Sequence, residues 1–140
     1  MQFDFELLVQ SAGDAIIAVN AEGEIIVWNR AAERIFGFAS TEALGQKLDL
    51  VIPERYRARH WEGYRKAMAT GSTRYANDVL RVPAVHKDGR PLSIAFTVAL
   101  LRSASGQIEA VAAVIRDETT RWNEERELRR QLAVLERQSK

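Results

Sequence analysis

The segment Asp14–Phe38, DAIIAVNAEGEIIVWNRAAERIFGF, decides the fold of this chain. It holds two short runs rich in β-branched residues, Asp14–Asn20 and Glu24–Asn29, with a glycine-containing turn between them. Such runs, divided by such a turn, predict a β-hairpin. Asn29 can then cap a short helix, Arg30–Phe36, which the following glycine ends. The segment therefore predicts two antiparallel strands that lead directly into a helix.

Composition and charge indicate one globular domain. The chain has 140 residues, 46% of them hydrophobic, and 20 Lys and Arg against 19 Asp and Glu, a net charge of +1. A nearly neutral chain gives no electrostatic reason to expect nucleic acid or an anionic membrane as its partner. It contains no cysteine, which excludes disulfides, thiolate-bound metals and cysteine photoadducts. The sequence shows no basic leader and no apolar run of roughly 18–20 residues, so we expect a cytoplasmic protein.

After the hairpin the sequence predicts a long helix and then a three-stranded meander. The helix, Glu54–Gly71, follows a proline and contains none,. Leu92–Leu101 alternates apolar with small or polar residues, the pattern of a half-buried strand. Tyr75–His86, which is broadly extended, and Ile108–Arg116 complete an antiparallel meander joined by tight turns. Pro83 within the first of these strands predicts a sheet edge or a bulge, because proline cannot donate a ladder hydrogen bond.

Together these elements predict an α+β domain with a five-stranded antiparallel sheet and short helices on one face. We expect three regions: an amphipathic cap helix within residues 1–13, the main domain over 14–118, and a projecting helix over 119–140. The last helix carries leucines at coiled-coil spacing, namely Leu128, Leu132 and Leu135,. Such a helix needs a partner, either a second copy or the sheet of its own domain.

The long helix Glu54–Gly71 places a histidine in the middle of its least charged face. At 100° per residue that face is formed by Tyr56, His60, Gly63, Tyr64 and Ala67,. The glycine one turn after His60 has no side chain that could obstruct a ligand. The functional question is therefore what the imidazole of His60 faces.

This order of elements, with these residues, resembles a PAS domain from Asp14 to about Thr120. The resemblance is carried by Asp14–Phe38, Glu42–His60, Lys87–Leu101 and Arg116–Arg121. It implies a PAS fold and a sensory function, with a ligand held between the sheet and the long helix. It also implies that a change at the ligand passes through the sheet to the C-terminal helix, which drives a downstream effector absent from this sequence. The family pattern at the end of the last strand is Asp-Ile-Thr, whereas this chain has Asp117-Glu118-Thr119, in which Asp117 can still cap the outgoing helix.

One branch of the family binds haem through a histidine on the long helix, and Arg59–Tyr64 resembles that branch in place. The resemblance implies that His60 is the axial ligand of the iron of a haem b, and that a diatomic gas binds at the open position. Gly63 would let the flat macrocycle approach the helix between Tyr56 and Tyr64. Lys66 and Arg74 would meet the propionates as charge-assisted donors.

The opposite wall of the expected pocket departs from the oxygen sensors of that branch. Where they carry an arginine on the first meander strand this chain has Leu80, and where one subgroup has a methionine ligand it has Asp78. Phe96 and Val98 make the same wall apolar. Without a donor, oxygen loses a stabilising hydrogen bond, so carbon monoxide or nitric oxide is expected to bind better. Arg81 is adjacent, and a register shift of one residue would restore the donor.

The sequence leaves a second interpretation open, in which His60 is a structural residue that a carbonyl or an acid satisfies. The domain would then be a haem-free PAS module for dimerisation or for a small apolar ligand in the same cavity. His86, in the Lys-Asp-Gly turn, is expected to be exposed. No nucleophile triad, phosphate-binding loop or paired carboxylate is present, so we expect a homodimeric sensor and not an enzyme.

Overall fold

The fold was analysed in a computed structural model that describes residues 2–139. The expected cap region begins at Met1 and the expected C-terminal region ends at Lys140, and these two residues lie outside the described part. The helices are α1 (Phe5–Ser11), α2 (Arg30–Phe36), α3 (Ser40–Ala43), α4 (Glu54–Thr70) and α5 (Thr119–Gln138). The strands are β1 (Ala15–Asn20), β2 (Ile25–Trp28), β3 (Leu80–Val85), β4 (Pro91–Arg102) and β5 (Ile108–Asp117). Short 3₁₀ turns occupy Leu48–Val51 and Arg74–Ala76.

The five strands form one antiparallel sheet in the order β2-β1-β5-β4-β3. The β1–β2 hairpin and the β3–β4–β5 meander are both confirmed, and β5 pairs with β1 to join them. The expected five-stranded α+β architecture is therefore confirmed, with the meander's last strand at the centre of the sheet.

Asn29 connects the hairpin, α1 and α2. Its side chain is fully buried, and its Oδ1 accepts hydrogen bonds from the backbone N–H groups of Ile16 (2.9 Å) and Ala32 (3.0 Å). Its Nδ2 donates to the carbonyl oxygens of Val9 (2.8 Å) and Asp14 (3.1 Å). Because all four bonds reach backbone groups, this residue caps α2 as expected and also ties α1 to the sheet.

The strand β3 lies at the edge of the sheet, and Pro83 is exposed opposite Ser93 of β4. The prediction of an edge position for this proline is therefore confirmed. The expected extension over Tyr75–His86 was too long, because β3 begins only at Leu80. A 3₁₀ turn, Arg74–Ala76, precedes the strand. The side chain of Thr73 caps this turn, because its Oγ1 accepts a hydrogen bond from the backbone N–H of Tyr75 at 3.2 Å.

The two faces of the sheet differ in what covers them. The inner face holds the core, which includes Ile17, Val19, Leu92, Ile94 and Ile115 packed with Phe36 of α2. The outer face is apolar and open along the row formed by Ile16, Val114 and Thr97. Residues of α1 add exposed apolar side chains, namely Phe5, Leu7 and Leu8. Among residues 2–139, the outer sheet face at Val114 and the short helix α1 therefore carry exposed apolar side chains.

The junction between β5 and α5 is fastened to β4. The backbone N–H of Glu118 donates to the carbonyl of Ser93 (2.8 Å), and the N–H of Ser93 donates to Oγ1 of Thr119 (3.0 Å). Asp117 Oδ1 accepts from the backbone N–H of Thr119 (2.9 Å), which is the expected cap contact, although Glu118 holds the N-cap position itself. Beyond the junction α5 has no buried residue and projects from the domain.

Candidate functional site

Helix α4 lies over the inner face of the sheet without being buried in it. None of its residues reaches full burial, and the long segment is held through individual side chains. Its half-buried face is formed by Tyr56, Arg57, His60, Trp61, Tyr64, Ala67 and Met68. The helix ends at Gly71, whose left-handed conformation (φ +70°) completes the predicted stop,. Helix α4 is therefore held to the domain by a few side chains and not by a continuous buried face.

The imidazole of His60 points inward and finds no hydrogen-bond partner. Within residues 2–139, its Nδ1 is the one buried side-chain nitrogen or oxygen without a partner. Burial lowers the pKa of His60 below its usual value, and the negative charge of Asp49 opposes that shift. The ring is therefore held neutral, with a free nitrogen, in a partly dry environment. The contact to a carbonyl or an acid that a structural histidine would make is not formed.

Trp61 anchors α4 beside that histidine. Its indole Nε1 donates to Oδ1 of Asp49 at 2.7 Å, and its ring meets the ring of His60 edge-on with centroids 4.6 Å apart. The outer edge of the indole rests on Gly23 in the β1–β2 turn, where an added Cβ would lie 2.8 Å from Cζ3. The turn of the first hairpin thus forms the surface on which α4 rests.

Two further side chains complete this attachment. The hydroxyl of Tyr64 donates to the carbonyl of Asn20, and burial raises the pKa of Tyr64. The guanidinium of Arg57 donates to the carbonyls of Ile52 (3.0 Å) and Asp49 (3.2 Å). The inward face of α4 is therefore bound to the hairpin turn and to the 3₁₀ segment before the helix.

The C-terminal end of α4 is joined to the β4–β5 hairpin through Arg102. Its guanidinium donates to the carbonyl of Gly71 and, at 3.2 Å, to that of Gly106. An open cleft of about 420 Å³ lies beside this contact and is lined by Met68, Thr70, Arg102 and Ile108 among others. The helix is thus attached at its middle and at its end.

The sheet wall opposite α4 is apolar. Leu80 of β3 pairs with Phe96 of β4, so both project from the inner face, and Val98 follows two residues later on the same face,. All three remain only half-buried, although Phe96 packs against the same core as Tyr64 of α4. This part of the inner face is therefore apolar and incompletely covered.

Arg81 points to the other face of the sheet. Its Nε lies 3.3 Å from Oε2 of Glu118 at the start of α5, and the side chain of Glu118 is only 17% exposed. The register therefore places Leu80, and not Arg81, on the inner wall. Glu118 stands where the family pattern has an apolar residue, and its carboxylate forms an ion pair with Arg81 at this position.

Two sequence expectations change in the structure, those for Gly63 and His86, while Lys66 and Arg74 lie at the surface. Gly63 is exposed, with no atom within 4 Å of an added Cβ, so it does not share the inward face. Lys66 is exposed, and the guanidinium of Arg74 donates to the hydroxyl of Tyr75 at 2.7 Å. The expected exposure of His86 is wrong, because its side chain is 14% exposed and accepts a hydrogen bond from the N–H of Asp88 at 3.1 Å.

Sequence reasoning missed Trp61 and Asp49. A helical wheel centred on His60 put Gly63 on the inward face, whereas the wall that α4 meets is the hairpin turn. The signal that could have identified this contact was a bulky residue, Trp61, next to His60, together with Gly23 in the predicted turn, where a large side chain can pack closely. Among residues 2–139, no group of three or more His, Cys, Asp or Glu is placed to hold a metal ion.

The chain is similar to known sensor proteins of one family. A family model described as the PAS fold matches residues 4–117. The chain is 38% identical over 53 residues to the sensor protein FixL of Bradyrhizobium diazoefficiens, which covers 38% of this chain and 10% of that protein. It is 28% identical over 110 residues to the oxygen sensor protein DosP of Escherichia coli, covering 79% and 14% of the two chains. The chain therefore spans only a small part of the length of these curated relatives.

Solved structures share the fold. A PAS domain from Colwellia psychrerythraea superposes with a TM-score of 0.72 at 20% identity, covering 83% of this chain and 95% of that one. An RNA-binding light-oxygen-voltage receptor superposes with a TM-score of 0.72 at 23% identity, covering 96% and 37%. At such identities the likeness establishes the fold alone. The described residues include no helix that combines the length and the apolar character needed to cross a membrane.

Proposed function

This chain belongs to the PAS family, and we propose that it is a sensor domain that binds haem b through His60 and responds to a diatomic gas or to redox state. The family assignment carries the sensory function, while the cofactor rests on the side chains of α4 and the sheet. The curated relatives named as sensors agree with the proposed class. We place the domain in the cytoplasm and assign it no catalytic activity of its own.

The unpartnered imidazole of His60 is the observation that carries the haem proposal. Leaving a buried polar nitrogen unsatisfied costs about 1–3 kcal/mol, so such a group suggests a missing ligand. Neutral imidazole is the form that ligates iron, and burial favours that form. A ligand that contacts the imidazole of His60 would be bound between α4 and the sheet.

The residues around this space fit a flat, largely apolar cofactor. Leu80, Phe96 and Val98 provide an apolar wall that is incompletely covered, and α4 opposite them has no buried residue. His60 would hold the iron, with Tyr56 and Tyr64 beside it, and the exposed flank at Gly63 leaves the helix unobstructed. Lys66 and Arg74 are exposed and would meet propionates at the opening, Arg74 after giving up its hydrogen bond to Tyr75,. A haem held by His60 would supply the chemistry of binding a diatomic gas.

The apolar wall determines which gas we expect. Oxygen is stabilised by a hydrogen-bond donor on the side opposite the axial ligand, and Leu80 provides none. Arg81 is engaged on the outer face with Glu118. Carbon monoxide and nitric oxide depend less on such a donor, so this domain would favour them over oxygen.

Output would pass through the β5–α5 junction to a partner or effector domain. Ser93, Asp117 and Thr119 connect the inner strands to α5 through short hydrogen bonds, so a movement of β4 reaches the helix. The open apolar sheet face and α1 are proposed to pair in a homodimer, which α5 extends through its leucines. Removing residues 121–140 tests the contribution of α5 alone: if a dimer seen by light scattering persists unchanged without them, the leucines of α5 are not what holds it.

A haem-free module remains the alternative, favoured by the way Trp61 and Tyr64 already fill part of the inward face of α4. A haem titration followed by absorption separates the two. The proposal expects a saturable Soret band in the wild-type chain and in His86→Ala, and its loss in His60→Ala. A chain that shows no saturable band supports the module for dimerisation or for a small apolar ligand.

A further inference from the structure

We propose that Trp61 is a positioning residue for His60 and that the β1–β2 turn, through Gly23, fixes its place. This deepens the proposed function, because the position of His60 decides how a cofactor meets α4. Trp61, Gly23 and Asp49 are not among the residues predicted to bind the cofactor.

The indole of Trp61 has contacts on two of its edges. Its ring edge lies against the ring of His60, with centroids 4.6 Å apart and planes at 78°. Its N–H is fixed by Oδ1 of Asp49 at 2.7 Å. A ring held at one edge by a hydrogen bond and at another by packing has a single orientation. The imidazole beside it, which lacks a hydrogen bond of its own at Nδ1, takes its orientation from this neighbour.

Gly23 sets the distance between the indole and the hairpin. A Cβ at this position would lie 2.8 Å from Cζ3 and 2.9 Å from Cη2 of Trp61. Those atoms belong to a rigid ring, so an alanine methyl would displace the whole side chain and, with it, the middle of α4. Tyr64 packs edge-on against the same indole at 5.3 Å, which extends the displacement to the next turn.

The chain provides a matched control for backbone strain. Gly23 has φ +81° and Gly45 has φ +86°, so alanine is similarly strained at both,. At Gly45, however, an added Cβ meets no atom within 4 Å. The difference between Gly23→Ala and Gly45→Ala therefore isolates the contact with Trp61.

The experiment compares wild type, Gly23→Ala, Gly45→Ala, Trp61→Phe and the Gly23→Ala/Trp61→Phe double variant. Nuclear magnetic resonance of the haem-free chains follows the indole N–H of Trp61 and the imidazole ring of His60. The sequence has three tryptophans and two histidines, so Trp61→Phe and His60→Gln assign the two signals. Haem titration of the same chains gives the affinity.

We expect Gly23→Ala to move both signals while Gly45→Ala leaves them in place. Haem affinity should fall by roughly tenfold in Gly23→Ala relative to Gly45→Ala, the size typical for loss of a residue that orients a metal ligand. Phenylalanine lacks the outer atoms that the methyl meets, so Gly23→Ala should have no further effect on the His60 signal in the Trp61→Phe background.

An unmoved His60 signal in Gly23→Ala overturns the proposal, as does an equal change in Gly45→Ala. Unchanged haem affinity alongside a moved ring also contradicts the positioning role. If the wild-type chain binds no haem, the proposed function fails, whereas the His60 signal still decides whether Trp61 positions this ring.

Discussion

Replacing His60 with leucine should stabilise the haem-free protein. Residues that serve a ligand are often held at a cost to the empty fold, and the unsatisfied Nδ1 of His60 is such a feature. Leucine has a comparable volume and no polar atom. A structural histidine would show the opposite response, so the sign of the change distinguishes the two interpretations.

The magnitude follows from three contributions. Removing an unsatisfied buried nitrogen gains about 1–3 kcal/mol, and leucine is the better helix former by a few tenths of a kcal/mol. The edge contact between His60 and Trp61 is lost, at about 0.5–1.5 kcal/mol. The net gain is about 1 kcal/mol, which corresponds to a rise of about 3 °C in Tm for a chain of this size.

Urea denaturation measures this change, with His86→Leu as the control. His86 is similarly shielded but accepts a hydrogen bond from the N–H of Asp88, so its replacement should lower the free energy of unfolding by about 1 kcal/mol. Equal losses in both variants would refute the view that His60 is held without a structural partner.

The remaining predictions concern pH, the fold and the gas. Burial lowers the pKa of His60 below the unfolded value of about 6.5, so the unfolded chain binds more protons than the folded chain between the two pKa values. The free energy of unfolding should therefore decrease as the pH falls below about 6.5. The urea midpoint of His60→Leu should depend less on pH in this range, and a pH dependence identical to that of the wild type would contradict the prediction. Asn29→Ala removes the four hydrogen bonds of a buried side chain and should cost about 2–4 kcal/mol by urea denaturation. A loss under about 1 kcal/mol would show that water replaces the side chain. Leu80→Arg should raise oxygen affinity of the haem-loaded protein by at least about tenfold, since a bond from a charged donor contributes about 1.5–3 kcal/mol; an unchanged oxygen affinity would mean that position 80 does not face the gas.

The sequence predicted the fold well because the relevant signals are local. Asn29, the glycine turns and the alternation of β4 each act over a few residues, and the structure confirms the elements that they define. The site was predicted less completely because it depends on which surface α4 meets. A helical wheel describes one helix and cannot show that the ring of Trp61 packs against Gly23. Sequence patterns likewise cannot show that the ring of His86 packs against Gly37. The exposure of Gly63 is the corresponding error on the helix itself.

The pairing of Arg81 with Glu118 illustrates the same limit at the sheet edge. Sequence alone left the register of β3 open by one residue, and that residue decides whether a leucine or an arginine lies on the inner face of the sheet. The ladder with β4 settles it, since Leu80 lies opposite Phe96. The unusual Glu118 then has a physical explanation in its ion pair on the outer face.

The central claim is that His60 ligates haem, and the resonance Raman spectrum of the ferrous, haem-loaded protein tests it most directly. We expect an iron–histidine stretching band in the wild-type protein that shifts when histidine is labelled with ¹⁵N. The band should be absent in His60→Gly, return when imidazole is added to that variant, and persist in His86→Ala. An iron–histidine band that survives unchanged in His60→Gly without added imidazole would contradict the account.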